Sequence, residues 1–347
     1  MTSKEIIAKT LRLEKSPRVP VSLLSSGAWT LNRAGLTLEK ALDVSPERFA
    51  EVIAFTNESV GCDIVWPGSG YHNLAIRGVG GKIKFRIKGT PDVQESVITD
   101  AAKIDPNLYQ RVADDQGIAL LVETARILSR EIGSHTVVGT SQWAPFTLGG
   151  LAYGVEKLMR GIYKDKAAVH AVLDFAADLC FAYLEPYIDA GVSMISLADP
   201  TSSGDLISRS QFIEFSLPYL QRVAAKIKAR GVWVTVHICG NTTNRLDQIP
   251  IAGADLMSVD YKVNLKDARG ILGGKIAFAG NMNPVTVIQK STPEGVAEAS
   301  REAIARAEGT GGGYILMPGC DIPPSSPLEN VQAMVQTAHA YPCEYLI

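Results

Sequence analysis

One histidine and two cysteines of this chain have the side chains and the spacing expected of a metal site. His237 and Cys239 are two positions apart at the end of the apolar run VTVHI, and Cys320 follows the last apolar run of the chain. Residues two apart on a strand point to the same side, so the first two donors can face one ion. One imidazole and two thiolates suit Zn²⁺, and three protein ligands leave a fourth position open, as in catalytic zinc sites. The three residues are therefore predicted to be both metal ligands and catalytic residues.

Such a centre favours chemistry at sulfur. Zinc lowers the pKa of a bound thiol, which is then present as thiolate at neutral pH. Two cysteinate ligands add negative charge, which weakens the Lewis acidity of the ion and keeps the bound thiolate nucleophilic. We therefore expect alkyl transfer to a substrate thiol rather than hydrolysis. The competing interpretation is core packing, which is the commoner role of a His-x-Cys pair in a strand, but Cys320 at a second strand end favours metal.

The elements that must position these residues alternate along the chain. Short β-branched apolar runs are separated by longer segments with helical periodicity. Eight such runs predict an α/β fold with one domain over 1–347, a (β/α)8 TIM barrel with an N-terminal helical extension. Alternation of polar and apolar residues predicts a β-hairpin insertion at about 78–89. The predicted strands are 19–24, 62–67, 136–142, 192–199, 232–238, 255–260, 275–281 and 313–319.

In a barrel of this kind, chemistry lies just past the carboxyl ends of the strands. Polar residues collect there, beginning with Ser25 after the first run. Each candidate also has a structural interpretation, such as a turn shaped by an aspartate or closed by an asparagine. His72, after the second run, is a candidate for cofactor binding, and its competing interpretation is a histidine on a surface loop. The candidates for substrate binding are Gln142, Asp199, Asp260, Asn281 and Asn283.

Composition excludes several classes of protein. The net charge of −2 gives no basic excess, so nucleic acid is a poor partner. The N-terminus lacks the apolar core of a signal peptide, and no run of about 18 apolar residues predicts a membrane span. Five cysteines, odd in number and widely spaced, do not form a disulfide framework. We therefore expect a cytoplasmic protein whose remaining cysteines, Cys62, Cys180 and Cys343, are inert thiols.

Five segments of the chain carry a family resemblance that covers nearly its whole length. They are SQWAPFTL (141–148), LADPTSSGDLISRSQFIEFSLPYL (197–220), VTVHICGNT (234–242), GNMNP (280–284) and PGCDIPPSSPLENVQAM (318–334). Together they resemble the uroporphyrinogen decarboxylase superfamily of (β/α)8 barrels. Within it, the chain is most similar to the zinc-dependent methylcobamide:coenzyme M methyltransferase branch.

This resemblance implies an activity, two cofactors and a partner. A methyl group would pass from a methylated corrinoid to a thiol, usually coenzyme M, with zinc held by the residues that match His237, Cys239 and Cys320. Corrinoid-binding domains of related systems carry Asp-x-His-x-x-Gly, and none of the five histidines here has aspartate two positions before it. The corrinoid is therefore expected on a separate corrinoid protein that docks over the barrel mouth.

Three alternatives stay open at this point. The same barrel could move methyl groups with another donor or acceptor, such as a methoxy compound, a methylamine or another thiol. It could decarboxylate a porphyrinogen, with Asp63 as the matching aspartate. The arginine-rich segment of the decarboxylases is replaced here by SSGAWTLNRAG (25–35), in which Arg33 is the one arginine. Lastly, zinc could only join two strands in a protein without turnover.

Overall fold

A curved parallel sheet of seven strands forms the centre of the computed structural model, which describes residues 1–24, 26–309 and 312–342. Sheet neighbours follow in chain order, so each connection returns over the outside of the sheet. Ser25 and Cys343, both named from the sequence, lie outside the described residues. The strands are β1 (Ile64–Val65), β2 (Lys82–Lys84), β3 (Asp92–Glu95), β4 (Val137–Trp143), β5 (Met194–Ala198), β6 (Trp233–Ile238), β7 (Leu256–Val259), β8 (Ala277–Met282) and β9 (Tyr314–Pro318), of which β2 and β3 form a separate antiparallel ribbon.

The first predicted strand, 19–24, is the one of the eight that does not form a regular strand. It forms two single-residue bridges, from Val21 to Leu316 of β9 and from Ser22 to Ile64 of β1. These bridges connect the two edge strands of the sheet. Pro20 has no N–H group to donate, which limits the hydrogen bonds that this segment can make. The sheet and its surrounding helices have a TIM-barrel-like α/β fold, with seven of the eight predicted strands present.

Side chains that point into the curved sheet form their own apolar cluster. Met194, Leu256 and Ile315 belong to it, each from a different strand. Ile7 of the first helix joins the same cluster and is fully buried. The backbone of that helix also bonds to the carbonyl of His135, just before β4, so the helix covers the amino end of the strands. The carboxyl end is left as the open side.

Helices occupy the connections between the strands. The predicted N-terminal helix is present with a Thr2 capping box, and Ser45 caps the third helix as its sequence predicts. The α-helices are α1 (Ser3–Leu11), α2 (Gly27–Arg33), α3 (Pro46–Val60), α4 (Leu74–Gly78), α5 (Gln116–Glu131), α6 (Pro145–Tyr153), α7 (Val155–Lys164), α8 (Lys166–Asp189), α9 (Arg209–Gln211), α10 (Leu217–Lys228), α11 (Leu265–Leu272), α12 (Pro293–Ala307) and α13 (Leu328–Ala340).

The helix α8 is long and apolar enough to cross a membrane by length and composition. Within the fold it is a core helix, and Leu173 and Leu184 are among its fully buried residues. Its polar side carries Asp174, which pairs with Arg222 of α10 at 2.8 Å. Its apolar composition therefore follows from packing between the sheet and the neighbouring helices.

The ribbon of β2 and β3 replaces the hairpin predicted at about 78–89. That range contains only the first of its two strands, because the alternation that predicted the hairpin ends before β3 (DVQE), in which Val93 is the one apolar residue. Asn73 ties the ribbon to the sheet. It donates to the carbonyl of Pro91 at 2.7 Å and accepts from the indole N–H of Trp143, at the carboxyl end of β4, at 2.7 Å. The ribbon is thus anchored beside the open end of the sheet.

Candidate metal centre

Three donor side chains meet at the carboxyl end of the sheet. The ligand atoms of His237, Cys239 and Cys320 all lie within 4.8 Å of one another. His237 Nε2 is 3.0 Å from Cys239 Sγ, and the two sulfur atoms are 3.4 Å apart. His237 is buried, whereas both cysteines are half-buried. The imidazole therefore forms the floor of the group, and the sulfur atoms lie on its open side.

Strand register explains why these side chains converge. His237 is in β6 and pairs with Ala198 of β5 and Ser258 of β7, so all three side chains point to the same side of the sheet. Cys239 lies two positions after His237 and continues this alternation just past the strand end. Cys320 lies just past the end of β9. The curvature of the sheet brings the two strand ends together.

The donor set fits a zinc ion by distance as well as by chemistry. Tetrahedral Zn²⁺ with its usual bond lengths separates two sulfur ligands by about 3.8 Å and a sulfur from a nitrogen by about 3.6 Å. The observed 3.4 Å and 3.0 Å are each shorter by a few tenths of an ångström. Small side-chain shifts would therefore admit an ion between the three donors. Three ligands leave a coordination position for a substrate.

Electrostatics at the two thiols also favour a cation. The pKa of Cys320 is lowered, first because the thiol of Cys239 hydrogen-bonds to its sulfur and second because His237 does so. The pKa of Cys239 is raised because its hydrogen bond to Cys320, its burial and the nearby charge of Asp260 all oppose a second anion. A positive ion between the sulfur atoms would offset this repulsion.

Asp260 is a predicted site residue that the structure brings to the centre. It is buried, lies two positions after Ser258 on the same side of the sheet, and is close enough to influence the charge of Cys239. One of its carboxylate oxygens accepts the backbone N–H of Lys262 at 2.8 Å. Asp260 therefore shapes the loop after β7 and adds negative charge beside the thiols.

The loop that carries Cys239 is held by a charged pair at the rim. Gly240 has φ of 87°, and a Cβ atom there would lie 2.6 Å from a carboxylate oxygen of Asp205. That oxygen accepts from the side chain of Lys262 at 2.9 Å and from the backbone N–H of Asn241 at 3.4 Å. Glycine is therefore required at this position for the loops after β5, β6 and β7 to pack together.

Two predicted substrate-binding residues lie on the other side of the sheet. Gln142 pairs in register with Leu197, which packs in the core between sheet and helices, so its side chain points away from the centre. Asp199 is fully buried, and its carboxylate accepts from Thr147 Oγ1 and from Ser216 Oγ, each at 2.7 Å. Burial raises the pKa of Asp199 despite these hydrogen bonds. The expectation that Gln142 points into the mouth is thus wrong, because its position in β4 has the opposite parity.

The two predicted asparagines make backbone contacts after β8. Asn281 donates to the carbonyls of Asp260 and Val263 at 3.0 and 2.5 Å. Asn283 accepts the backbone N–H groups of Val285 and Thr286 at 3.0 and 2.9 Å and so caps the following helical turn. Both contacts agree with the structural interpretation of these residues, and a role in substrate binding stays a prediction.

His72 is buried, so the interpretation as a surface-loop histidine is wrong. Its Nε2 atom is 2.7 Å from Ser141 Oγ, and its ring lies 4.4 Å from that of Trp143. Burial lowers the pKa of His72 to about 4, which keeps the ring neutral at physiological pH. Its Nδ1 atom has no hydrogen-bond partner among the described residues. Contact with a cofactor stays a prediction.

Sequence reasoning missed Ser258 altogether. Its hydroxyl oxygen lies 2.8 Å from His237 Nδ1, the ring nitrogen that does not face the cysteines. The one signal available was a small polar residue inside the apolar run DLMSVD. That signal is weak, because the contact depends on the register between β6 and β7.

Comparison with known proteins supplies the family. The model of the uroporphyrinogen decarboxylase (URO-D) family matches residues 2–341. The methylcobamide:CoM methyltransferase MtbA of Methanosarcina acetivorans is 31% identical over 255 residues, which are 74% of this chain and 73% of the relative. A uroporphyrinogen decarboxylase of Actinobacillus succinogenes is 29% identical over 236 residues, which are 65% of each chain.

A solved structure has the same fold. The match is described as a methyltransferase from Methanosarcina mazei, with a TM-score of 0.85 and 23% sequence identity. It covers 97% of this chain and 98% of the other. The architecture is therefore shared over nearly the whole length of both proteins.

Proposed function

This chain belongs to the uroporphyrinogen decarboxylase family, its relatives support a methyltransferase activity, and we propose that it moves a methyl group from a methylated corrinoid to a small thiol such as coenzyme M. One observation carries the proposal, namely the convergence of one imidazole and two thiols at the carboxyl end of the sheet. This is the end at which barrel enzymes do their chemistry. Relatives named methylcobamide:CoM methyltransferases favour coenzyme M as the first acceptor to test.

We propose that His237, through Nε2, and the thiolates of Cys239 and Cys320 hold a zinc ion. Bound there, the ion would supply a lowered pKa and a fixed position for the acceptor thiol. The chain contributes the rest. The two cysteines are half-buried, which leaves the group accessible from the mouth, and the buried imidazole closes it from below. The negative charge of the two thiolates keeps an acceptor sulfur nucleophilic.

The transfer itself is a displacement at carbon. The acceptor thiol loses its proton to solvent on binding, and its sulfur then attacks the methyl carbon. The carbon–cobalt bond breaks, and its electron pair stays on the cobalt of the corrinoid as the sulfur–carbon bond of the methyl thioether forms. The chain contributes chiefly position, because a fixed sulfur meets a carbon delivered from the open end of the sheet.

The rim of the mouth supports delivery of the corrinoid by a partner protein. Large apolar side chains are exposed on loops that follow strand ends, namely Leu206 after β5, Tyr261 after β7 and Val285 after β8. Ile87 in the ribbon loop is 86% exposed. A partner that docks over the mouth would cover these side chains. A cytoplasmic location stays a prediction that agrees with the need for free thiols.

Decarboxylation of a porphyrinogen is less well supported, although relatives carry that name. Arg33 lies over the ring of Trp29 on the same helix and is exposed. Asp63 precedes β1 at the amino end of the sheet and is paired with Arg18. Asp63 is therefore at the opposite end of the sheet from the three donors, and the guanidinium of Arg33 is engaged with Trp29.

The test combines zinc content with methylcobalamin-dependent loss of free thiol, using coenzyme M first and other small thiols next. We expect about one zinc per chain, as a three-ligand catalytic site requires. His237→Ala, Cys239→Ala and Cys320→Ala should each lose zinc and methylation together. Cys180→Ala is the matched control, because it removes a buried thiol from α8 and should keep both.

Each outcome separates the alternatives. A variant that lost zinc but methylated thiols at the full rate would overturn the proposed mechanism. Zinc without methylation of any thiol would favour an ion that only joins β6 to β9. Methylation of another thiol in preference to coenzyme M would retain the reaction and change the acceptor.

A further inference from the structure

Ser258, on the strand next to that of His237, can fix the orientation of the imidazole ring. Its side chain is fully buried in β7, and its hydroxyl oxygen is 2.8 Å from His237 Nδ1. The two residues are also register partners, so the contact follows from the pairing of β6 with β7. The partner of His237 on the other side is Ala198 of β5, whose side chain has no polar atom.

The contact has a direct consequence for the tautomer of the ring. A neutral imidazole carries its proton on one nitrogen and a lone pair on the other. If Nδ1 donates its hydrogen to Ser258 Oγ, the lone pair lies on Nε2. That is the atom that faces Cys239 Sγ at 3.0 Å, where a metal ion would be bound. The opposite tautomer would place a hydrogen where the ion must be.

We propose that Ser258 is a positioning residue, which accepts the Nδ1 hydrogen of His237 and so holds the ring in the orientation and tautomer that ligate the metal. The inference rests on the metal site of the proposed function and names a residue that does not touch substrate. Partners of this kind, on the far nitrogen of a metal-bound histidine, typically change metal affinity by about 10- to 100-fold when they are removed.

Four variants test the proposal, and the readout is zinc affinity measured by competition with a chromogenic chelator. Ser258→Ala should weaken zinc binding by roughly 10- to 100-fold. Ser258→Thr and Ser258→Val both add a methyl group, but the first keeps the hydroxyl and the second replaces it with another methyl. The Ser258→Thr protein should therefore bind zinc more tightly than the Ser258→Val protein. Ser196→Ala is the control, because Ser196 is a buried serine one layer deeper on β5 and should leave the affinity unchanged.

A second readout reports on geometry without any turnover. Cobalt(II) loaded into the site should give the same visible absorption spectrum in the wild type and in Ser258→Thr, and a shifted spectrum in Ser258→Ala. Equal zinc affinity in Ser258→Ala and the wild type, with an unchanged cobalt spectrum, would overturn the inference. A wild type that binds no zinc would instead overturn the proposed function, so the two failures are distinguishable.

Discussion

The pair formed by Asp63 and Arg18 gives a sharp prediction about stability. The carboxylate is fully buried and meets the guanidinium through two hydrogen bonds, at 2.5 and 2.8 Å. It also accepts the backbone N–H of Val21, in the segment that connects the two edge strands, at 2.8 Å. Asp63→Asn keeps the shape and one acceptor but leaves Arg18, 20% exposed, without its anion.

The expected loss follows from these contacts. Breaking a buried ion pair typically costs about 3–5 kcal/mol, and the retained acceptor and partial exposure of Arg18 reduce this to about 2–3 kcal/mol. Burial alone would raise the pKa of Asp63, but hydrogen bonds from Arg18 and His339 and the positive charge of Arg18 together outweigh it and lower the pKa to about 2. Against an ordinary value near 3.8, that shift corresponds to roughly 2 kcal/mol of stability.

The sign of the pH dependence is fixed by this shift. Because the folded-state pKa is depressed, the stabilisation is present above about pH 4 and is lost as the pH falls towards 2. Urea unfolding of the wild type and Asp63→Asn, followed by circular dichroism, should therefore show a gap in free energy that narrows over this range. Glu51→Gln is the control, since its pair with Arg48 is exposed and should contribute less than about 1 kcal/mol.

One result would refute this reasoning. If Asp63→Asn unfolded like the wild type at neutral pH and yet lost zinc or thiol methylation, the residue would act in the site rather than in the fold. A decarboxylase-like role for Asp63 would then return. Full zinc content in the folded variant, together with lower stability, is the expected outcome.

Two further predictions concern residues near the centre. Asp199→Asn should lower the free energy of unfolding by about 1–2 kcal/mol, because it weakens charged hydrogen bonds with Thr147 and Ser216. Zinc content and the kcat/KM for the thiol should stay unchanged. A large loss of kcat/KM at full zinc content would restore Asp199 as a substrate-binding residue. Zinc-free protein treated with hydrogen peroxide should form a disulfide between Cys239 and Cys320, whose sulfur atoms are 3.4 Å apart, seen as a loss of two hydrogens by mass spectrometry. Bound zinc should slow this oxidation, and crosslinking at the same rate with zinc present would contradict ligation by both thiols.

The strands were predictable because fully buried parallel strands are nearly continuous apolar runs. The run 232–238 predicts β6 (Trp233–Ile238), and the run 313–319 predicts β9 (Tyr314–Pro318), each within one residue. Sequence alone could not show that the first run, 19–24, forms only two bridges, because these depend on strands far away in the chain. Local sequence thus predicts the elements better than it predicts their pairing.

The side of the sheet on which a residue lies was harder to predict. Gln142 and Asp199 were expected at the mouth, but a shift of one position sends a side chain to the opposite face. Strand ends predicted from sequence are uncertain by a few residues, and a shift of one is enough to change the face. The burial of His72 was missed for another reason, since it arises from packing against Trp143 rather than from any local pattern.

The arrangement of the three donors also favours a reactive ion over one that only joins two strands. In the sheet, β6 and β9 are separated by β7 and β8, so in a flat sheet their axes would be about 14 Å apart. The 3.4 Å contact between Cys239 and Cys320 therefore exists only because the sheet curves, and an ion there would inevitably join the two strands. An ion that served only this purpose would be expected to have a fourth protein ligand. The group found among the described residues has three donors, and its two cysteines are less buried than its histidine. Joining the strands and binding a substrate thiol would therefore be consequences of the same geometry.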